Sequence, residues 1–268
     1  MCQIAKEVTN DQLIVGGYHG YVWNTYSYEG NDITHSSIQK VLDSEYVDFI
    51  CGPQNYNERD LGIPGAWMST IDGVHASGKL FIQEQDNRTI TAPGVEWPES
   101  DSGVGKTYTT EDTINQIKRN YSQIITKNAG MWFYDMDGGW FHDDQIYELS
   151  RIINEEADLS ILTDKASTSE VAVFVDEKTY EYSTYEFGAT YQIYTSLYLE
   201  QRFNLGTMGA PYDVYRISDL CGGNVLDYKV NIILSPYQIT DEQREAIDKH
   251  LKKDGKILIW VFAPGISD

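Results

Sequence analysis

Apolar and polar positions follow a repeating order along this chain: a short apolar run, a loop, then a stretch with apolar residues at helical spacing. The first run, QLIVGGYHGYVW (12–23), reads as a strand whose glycines permit close packing. ITHSSIQKVLDSE (33–45) follows, with helical spacing at Ile33, Ile38, Val41 and Leu42. The second unit is YVDFICGP (46–53), a long polar loop, and AWMSTIDGVHASG (66–78), where Gly78 is placed to stop a helix. KLFIQEQ comes third, followed by TTEDTINQIKRNYSQIITKNAG (109–130). In that helix Thr109 and Asp112 approximate a capping box, Ile114, Ile117, Tyr121, Ile124 and Ile125 form the buried stripe, and Gly130 is expected to close it. The fourth strand is MWFYDMDGGWF (131–141), with DDQIYELSRIINEEADLSIL (143–162) as its helix. Four strand–helix repeats with strands this apolar predict a parallel sheet covered by helices.

After a polar linker, TDKASTSE (163–170), the rhythm restarts. VAVFVDE (171–177), YEFGATYQIYTSLYLEQRFNLG (185–206), PYDVYRI (211–217), YKVNIILSP (228–236), TDEQREAIDKHLKKDG (240–255) and KILIWVFAPG (256–265) predict a second parallel α/β layer. The boundary is expected near residue 165, which gives domains of 1–165 and 166–268.

In parallel α/β architectures, functional groups gather at the carboxyl ends of strands, where loops vary freely on a fixed frame. The first four strands here end in polar and aromatic groups. These are Tyr18, His19, Tyr21 and Trp23; Gln54, Asn55, Tyr56 and Arg59; Glu84, Asp86 and Arg88; and Tyr134, Asp135, Asp137 and Trp140. In KLFIQEQDNRT (79–89) a period of two puts Leu80, Ile82, Glu84, Asp86 and Arg88 on one face, so an apolar stripe leads into two carboxylates and a guanidinium. Carboxylates among aromatic rings suit glycoside hydrolysis: one attacks the oxocarbenium-like centre, another protonates the leaving oxygen, and the rings stack on sugar. The plainer readings are an ion pair of Glu84 with Arg88, a buried Arg–Asp pair, a turn at Asp137-Gly138-Gly139, and a structural hydrogen bond for His19.

Three segments, VDFICGPQNYNERDLG, GKLFIQEQDNRT and GMWFYDMDGGWFHDD, resemble the second half of the barrel in clan A glycoside hydrolases, especially the family 42 β-galactosidases. VAVFVDE, YDVYRISDL and YKVNIILSPYQITDEQREAIDKHLKKDGKILIW resemble the start of that family's flavodoxin-like trimerisation domain. The resemblance implies a partial (β/α)8 (TIM) barrel, strands five to eight, followed by a flavodoxin-like α/β domain. It implies a β-galactoside-like carbohydrate substrate, no cofactor, and a homo-oligomer, a trimer, in the full-length protein. Glu84 stands where the family carries its nucleophile, at the end of the seventh strand. Asp86 and Arg88 would orient it or bind sugar hydroxyls. Tyr134, Asp135 and Trp140 would line the pocket, with Tyr18, His19, Trp23, Asn55, Tyr56 and Arg59 as further substrate-binding candidates.

The family's acid/base glutamate lies on the fourth strand, which has no counterpart here. Retaining hydrolysis requires both groups, so the chain alone is expected to be inactive, a fragment at both ends. Half a barrel is also expected to associate through its open strand edges. The rival class is a non-catalytic sugar-binding or assembly protein that keeps the stacking wall without acid/base chemistry.

Composition narrows the partners. The net charge of −21, from 41 acidic and 20 basic residues, disfavours nucleic acid and anionic membrane surfaces. Twenty Tyr and six Trp suit flat hydroxylated ligands and core packing alike. Cys2, Cys51 and Cys221 are too scattered for a disulfide framework or a paired-cysteine metal site, and read as reduced thiols. No signal peptide or apolar span is visible, so the default expectation is cytoplasmic. SGVGKTY (102–108) has Ser100 where a phosphate-binding loop needs its first glycine. The loop KTYEYSTYE after VAVFVDE lacks the turn a flavin phosphate wants, and Cys221 is not on a nucleophile turn. NRT at Asn87 and NYS at Asn120 fit the glycosylation pattern, but such triplets are frequent by chance and one lies in the candidate site.

Overall fold

Among the described residues, eight short strands rich in β-branched and aromatic residues form two four-stranded parallel sheets whose strands are linked by helices, an α/β architecture. The computed structural model describes residues 1–23, 34–93, 105–163, 165–182, 195–253 and 255–267. The first sheet has the order β1-β2-β3-β4, from Gly16–Tyr18, Phe49–Pro53, Leu80–Gln85 and Gly130–Phe133. The second has the order β6-β5-β7-β8, from Tyr212–Arg216, Val171–Val175, Val230–Leu234 and Ile257–Val261. The helices are α1 Cys2–Val8, α2 Ile38–Leu42, α3 Ile71–Ala76, α4 Thr110–Thr126, α5 Asp144–Ser160, α6 Glu200–Thr207 and α7 Asp241–His250.

Local chemistry explains most boundaries. The Thr109 side chain accepts from Asp112 N at 3.0 Å and starts α4, and Thr240 with Gln243 makes a full capping box on α7. Gly78, at φ +73°, follows the end of α3 as expected. The close of α4 differs from expectation: Asn128 takes the left-handed conformation at φ 54°, and Gly130 opens β4 instead. Asn tolerates that conformation through its short polar side chain. Strand β1 is much shorter than the apolar run 12–23, because Gly20 turns the chain at φ +81°. Within β1, Gly16 lies so close to β2 that a Cβ would stand 2.1 Å from the Phe49 carbonyl oxygen. Helix α1 lies outside the predicted elements and buries no residue. Of the helix expected over 185–206, residues 185–194 lie outside the described residues, and the rest is a π-turn, Thr195–Leu199, leading into α6.

Two compact units divide the chain. One comprises Met1–Gly52, Trp67–Phe81 and Ser167–Asp268, the other Pro53–Ala66 and Ile82–Ala166. In the first, Phe174, Ile233, Ile239, Ile247 and Leu251 form the core between the second sheet and α7. Polar contacts join its early and late segments: Val214 N donates to Asp72 at 2.7 Å, and Arg216 donates to Gln39 at 2.9 Å. Gly73 makes room for Asp219, whose carboxylate would lie 2.2 Å from an added Cβ. In the second unit Ile117 and Tyr121 of α4 pack on Ile146, Leu149 and Ile153 of α5, with Met131 and Phe133 of β4 against them. Each such side chain contributes about 1.5–3 kcal/mol on burial. No helix among the described residues is long and apolar enough to cross a membrane.

Candidate active site

The end of β3 carries the densest buried polar chemistry of the second unit. Gln83, Glu84, Gln85, Asp86, Asn87 and Thr89 are all buried, Glu84 at 7% exposure, so both faces of the strand end are covered. β4 lies alongside in parallel, with Glu84 opposite Trp132 and Tyr134 N donating to Gln85 O at 3.1 Å.

The odd-numbered residues are fastened to α4. Asn120 donates to Gln85 Oε1 at 2.8 Å and to Asn87 Oδ1 at 3.2 Å, while Gln85 donates to Asn87 at 3.0 Å. Arg119, which can only donate, sets the direction of this amide ladder through a 3.1 Å bond to Asn120 Oδ1. Its remaining donors reach Asp60 O, Ile63 O, Gln54 Oε1 and Arg59 O. Because Asn87 and Asn120 are both fully buried in this ladder, neither glycosylation triplet is accessible in the folded chain.

The even-numbered residues meet a different set of groups. Asp86 forms a 2.6 Å ion pair with Arg59, which follows β2 and is fully buried. Arg59 also donates to Gln54 O at 2.8 and 3.2 Å and lies 4.3 Å over the Tyr56 ring. Gly105, at φ +60°, packs so tightly on it that a Cβ would stand 2.4 Å from the Arg59 Cβ. Gln116 of α4 donates to the carbonyls of Arg59 and Gly105 at 2.9 and 2.8 Å. A buried Arg–Asp pair is therefore present, but Asp86 takes Arg59 and not the expected Arg88 as its partner. Asn55 is buried, and its N–H donates to Ala66 O at 2.8 Å.

Arg88 is half-buried, its guanidinium 5.0 Å over the indole of Trp140. Trp140 is 1% exposed and held by its backbone: its N–H donates to Asp135 at 3.1 Å, and its carbonyl accepts from Thr91 at 2.5 Å and from Thr89. It therefore backs Arg88. The aromatic that the register sets beside Glu84 is Trp132, 38% exposed, with its ring 5.4 Å from Tyr134. Asp137 is exposed, and Gly138 and Gly139, both at positive φ, form the turn.

The chain matches no protein-family model and no curated protein.

Tyr18, His19 and Trp23 belong to the first unit. Tyr18, largely exposed, ends β1, and His19 N donates to Cys51 O at 3.3 Å. The His19 ring lies 5.3 Å from His35, which Tyr21 stacks at 4.1 Å. Burial lowers both imidazole pKa values, and the proximity of His19 helps bring His35 down to about 4. Trp23 is buried: its N–H donates to Met68 O at 2.9 Å and its carbonyl accepts from Arg202 at 2.8 Å.

Of SGVGKTY, residues 102–104 lie outside the described residues, and Lys106 donates to the Ala92 carbonyl at 2.9 Å. Among the described residues no group of three or more His, Cys, Asp or Glu is arranged to hold a metal ion. Sequence reasoning missed the Arg119–Asn120–Gln85–Asn87 ladder and Trp132. For Trp132, pairing MWF (131–133) against QEQ (83–85) in parallel was an available signal. The ladder joins residues 33 to 35 positions apart and leaves no local pattern.

Proposed function

We propose that the second unit carries the nucleophile half of a retaining glycoside hydrolase acting on β-galactoside-like substrates, with Glu84 as nucleophile. The observation that carries this reading is a buried carboxylate at the carboxyl end of a parallel strand, flanked by an immobilised Asp86–Arg59 pair and by Trp132. In this reading the first sheet is strands five to eight of a barrel. The second sheet, whose order β6-β5-β7-β8 suits a flavodoxin-like domain, mediates homo-oligomer assembly.

Glu84 attacks the anomeric carbon as the bond to the leaving oxygen breaks, giving a covalent glycosyl ester and an alkoxide that needs a proton. That proton comes from a second carboxylate, which the resemblance assigns to the fourth strand. A dinitrophenolate leaving group needs no protonation, so dinitrophenyl β-galactoside tests Glu84 without it. The expected result is a burst of about one equivalent of dinitrophenolate per chain, with slow turnover afterwards, and no burst from Glu84→Gln. The absence of a burst above that of Glu84→Gln would contradict the assignment.

A further inference from the structure

The arginines of the second unit are used very differently. Arg119 engages a partner through each of its guanidinium nitrogens, Arg59 binds Asp86 and the Gln54 carbonyl, and Arg151 pairs with Glu148 and Glu155 on α5. The Arg88 side chain makes no ion pair or hydrogen bond with any described residue; its backbone carbonyl accepts from Thr107 N at 3.1 Å, and its guanidinium lies 5.0 Å over the Trp140 ring. In a chain with 41 acidic and 20 basic residues, a half-buried arginine without a carboxylate is unexpected. It is also held ready. Trp140 is clamped by Asp135, Thr89 and Thr91, so the stack fixes the guanidinium plane while its N–H edge stays unused. Arg88 belongs to the even-numbered series with Glu84 and Asp86, whereas Gln85 and Asn87 are bound to Asn120.

We propose that Arg88 reads a carboxylate carried by the sugar, so that the ligand of this site is a uronic-acid-bearing glycoside. A planar fork of donors matches a carboxylate with two parallel charge-assisted hydrogen bonds, a pairing that a neutral hydroxymethyl group cannot reproduce. The net charge of −21 repels anions at long range, so a preference for the acid over its neutral twin can only arise locally. The inference rests on the proposed sugar ligand but not on catalysis by Glu84.

The test is calorimetric titration of the full chain with methyl β-D-galacturonide and with methyl β-D-galactopyranoside. The uronide is expected to bind at least about tenfold tighter, the margin by which a charge-assisted hydrogen bond exceeds a neutral one. Arg88→Gln should abolish the margin, and Arg88→Lys, which keeps the charge but loses the fork, should retain only part of it. Equal binding of the two glycosides, binding of neither, or a margin that survives in Arg88→Gln would overturn the proposal. A uronide preference without a dinitrophenolate burst would overturn the glycosidase reading and leave the carboxylate site standing.

Discussion

The carboxyl ends of β3 and of the second sheet follow the same strand polarity but end in opposite ways. In the second sheet most polar groups at the strand ends find partners in one another, with Glu177 Oε2 an exception. The Thr179 hydroxyl lies 2.5 Å from Asp176 and 2.8 Å from the Ser235 carbonyl, and Tyr198 donates to the carbonyls of Leu234 and Ser235 at 3.0 and 3.1 Å. Asp219 takes both the backbone N–H and the guanidinium of Arg216, and Ser218 donates to Glu177 at 2.7 Å. At β3 the odd-numbered side is fastened to Asn120, with the buried Asn87 Nδ2 left unpartnered, and the even-numbered side keeps the Arg88 guanidinium with unused donors. The difference teaches that strand polarity alone does not mark a site. What marks it is polar capacity left over after the scaffold has been satisfied.

The comparison can be broken at several points. The largest effects belong to the buried ion pairs. Arg216→Met, which strands Asp219, should cost about 3–5 kcal/mol in urea unfolding and leave the sugar affinity of the folded chain unchanged. Arg59→Met should cost as much in stability and lose sugar binding too, since Asp86 is then released. Asn120→Leu removes the ladder's hub and leaves buried amides unpartnered, an expected loss of about 2–3 kcal/mol. A loss under about 0.5 kcal/mol would mean that the ladder does not hold the strand end.

Titration sharpens the same contrast. Burial raises the Asp176 pKa to about 6 against an ordinary 3.8, so the folded chain holds this proton where the unfolded chain has released it. Its stabilising contribution is therefore present below about pH 4 and lost as pH rises through 6. Asp176→Asn should raise stability by roughly 2 kcal/mol at pH 8 and change it little at pH 4. His35 acts in the opposite sense. With its folded pKa near 4 and its unfolded value near 6.5, stability is full above pH 6.5 and falls as pH drops toward 4. His35→Phe should flatten that acid limb. The smallest effect is expected of Gly73→Ala, where better helix propensity offsets part of the clash with Asp219. A net loss of about 1 kcal/mol should remain.

Much of this architecture was legible in the sequence because parallel strands and their helices carry strong periodicity. Seven of the eight described strands fall within the apolar runs and β4 starts one residue before its run, while Thr109 and Gly78 mark the helix ends they were expected to mark. Ends governed by a single backbone conformation were harder, as Asn128 shows by turning the chain two residues before Gly130. Within the site, period two applies to Glu84 inside β3, but the strand ends at Gln85, so its alternation does not extend to Asp86 and Arg88. It could not say that Asp86 would take Arg59, 27 positions away, and leave Arg88 on Trp140. Nor could it reveal Asn120, whose partners lie 33 and 35 positions back along the chain.

The most direct test is to locate a covalent label. Incubation with dinitrophenyl 2-deoxy-2-fluoro-β-galactoside, trypsin digestion and mass spectrometry should find the fluorosugar on the peptide LFIQEQDNR (80–88), which holds Glu84 as its only glutamate. A label on that peptide that disappears in Glu84→Gln is expected if Glu84 is the nucleophile. A label on any other peptide, or none at all, would contradict it.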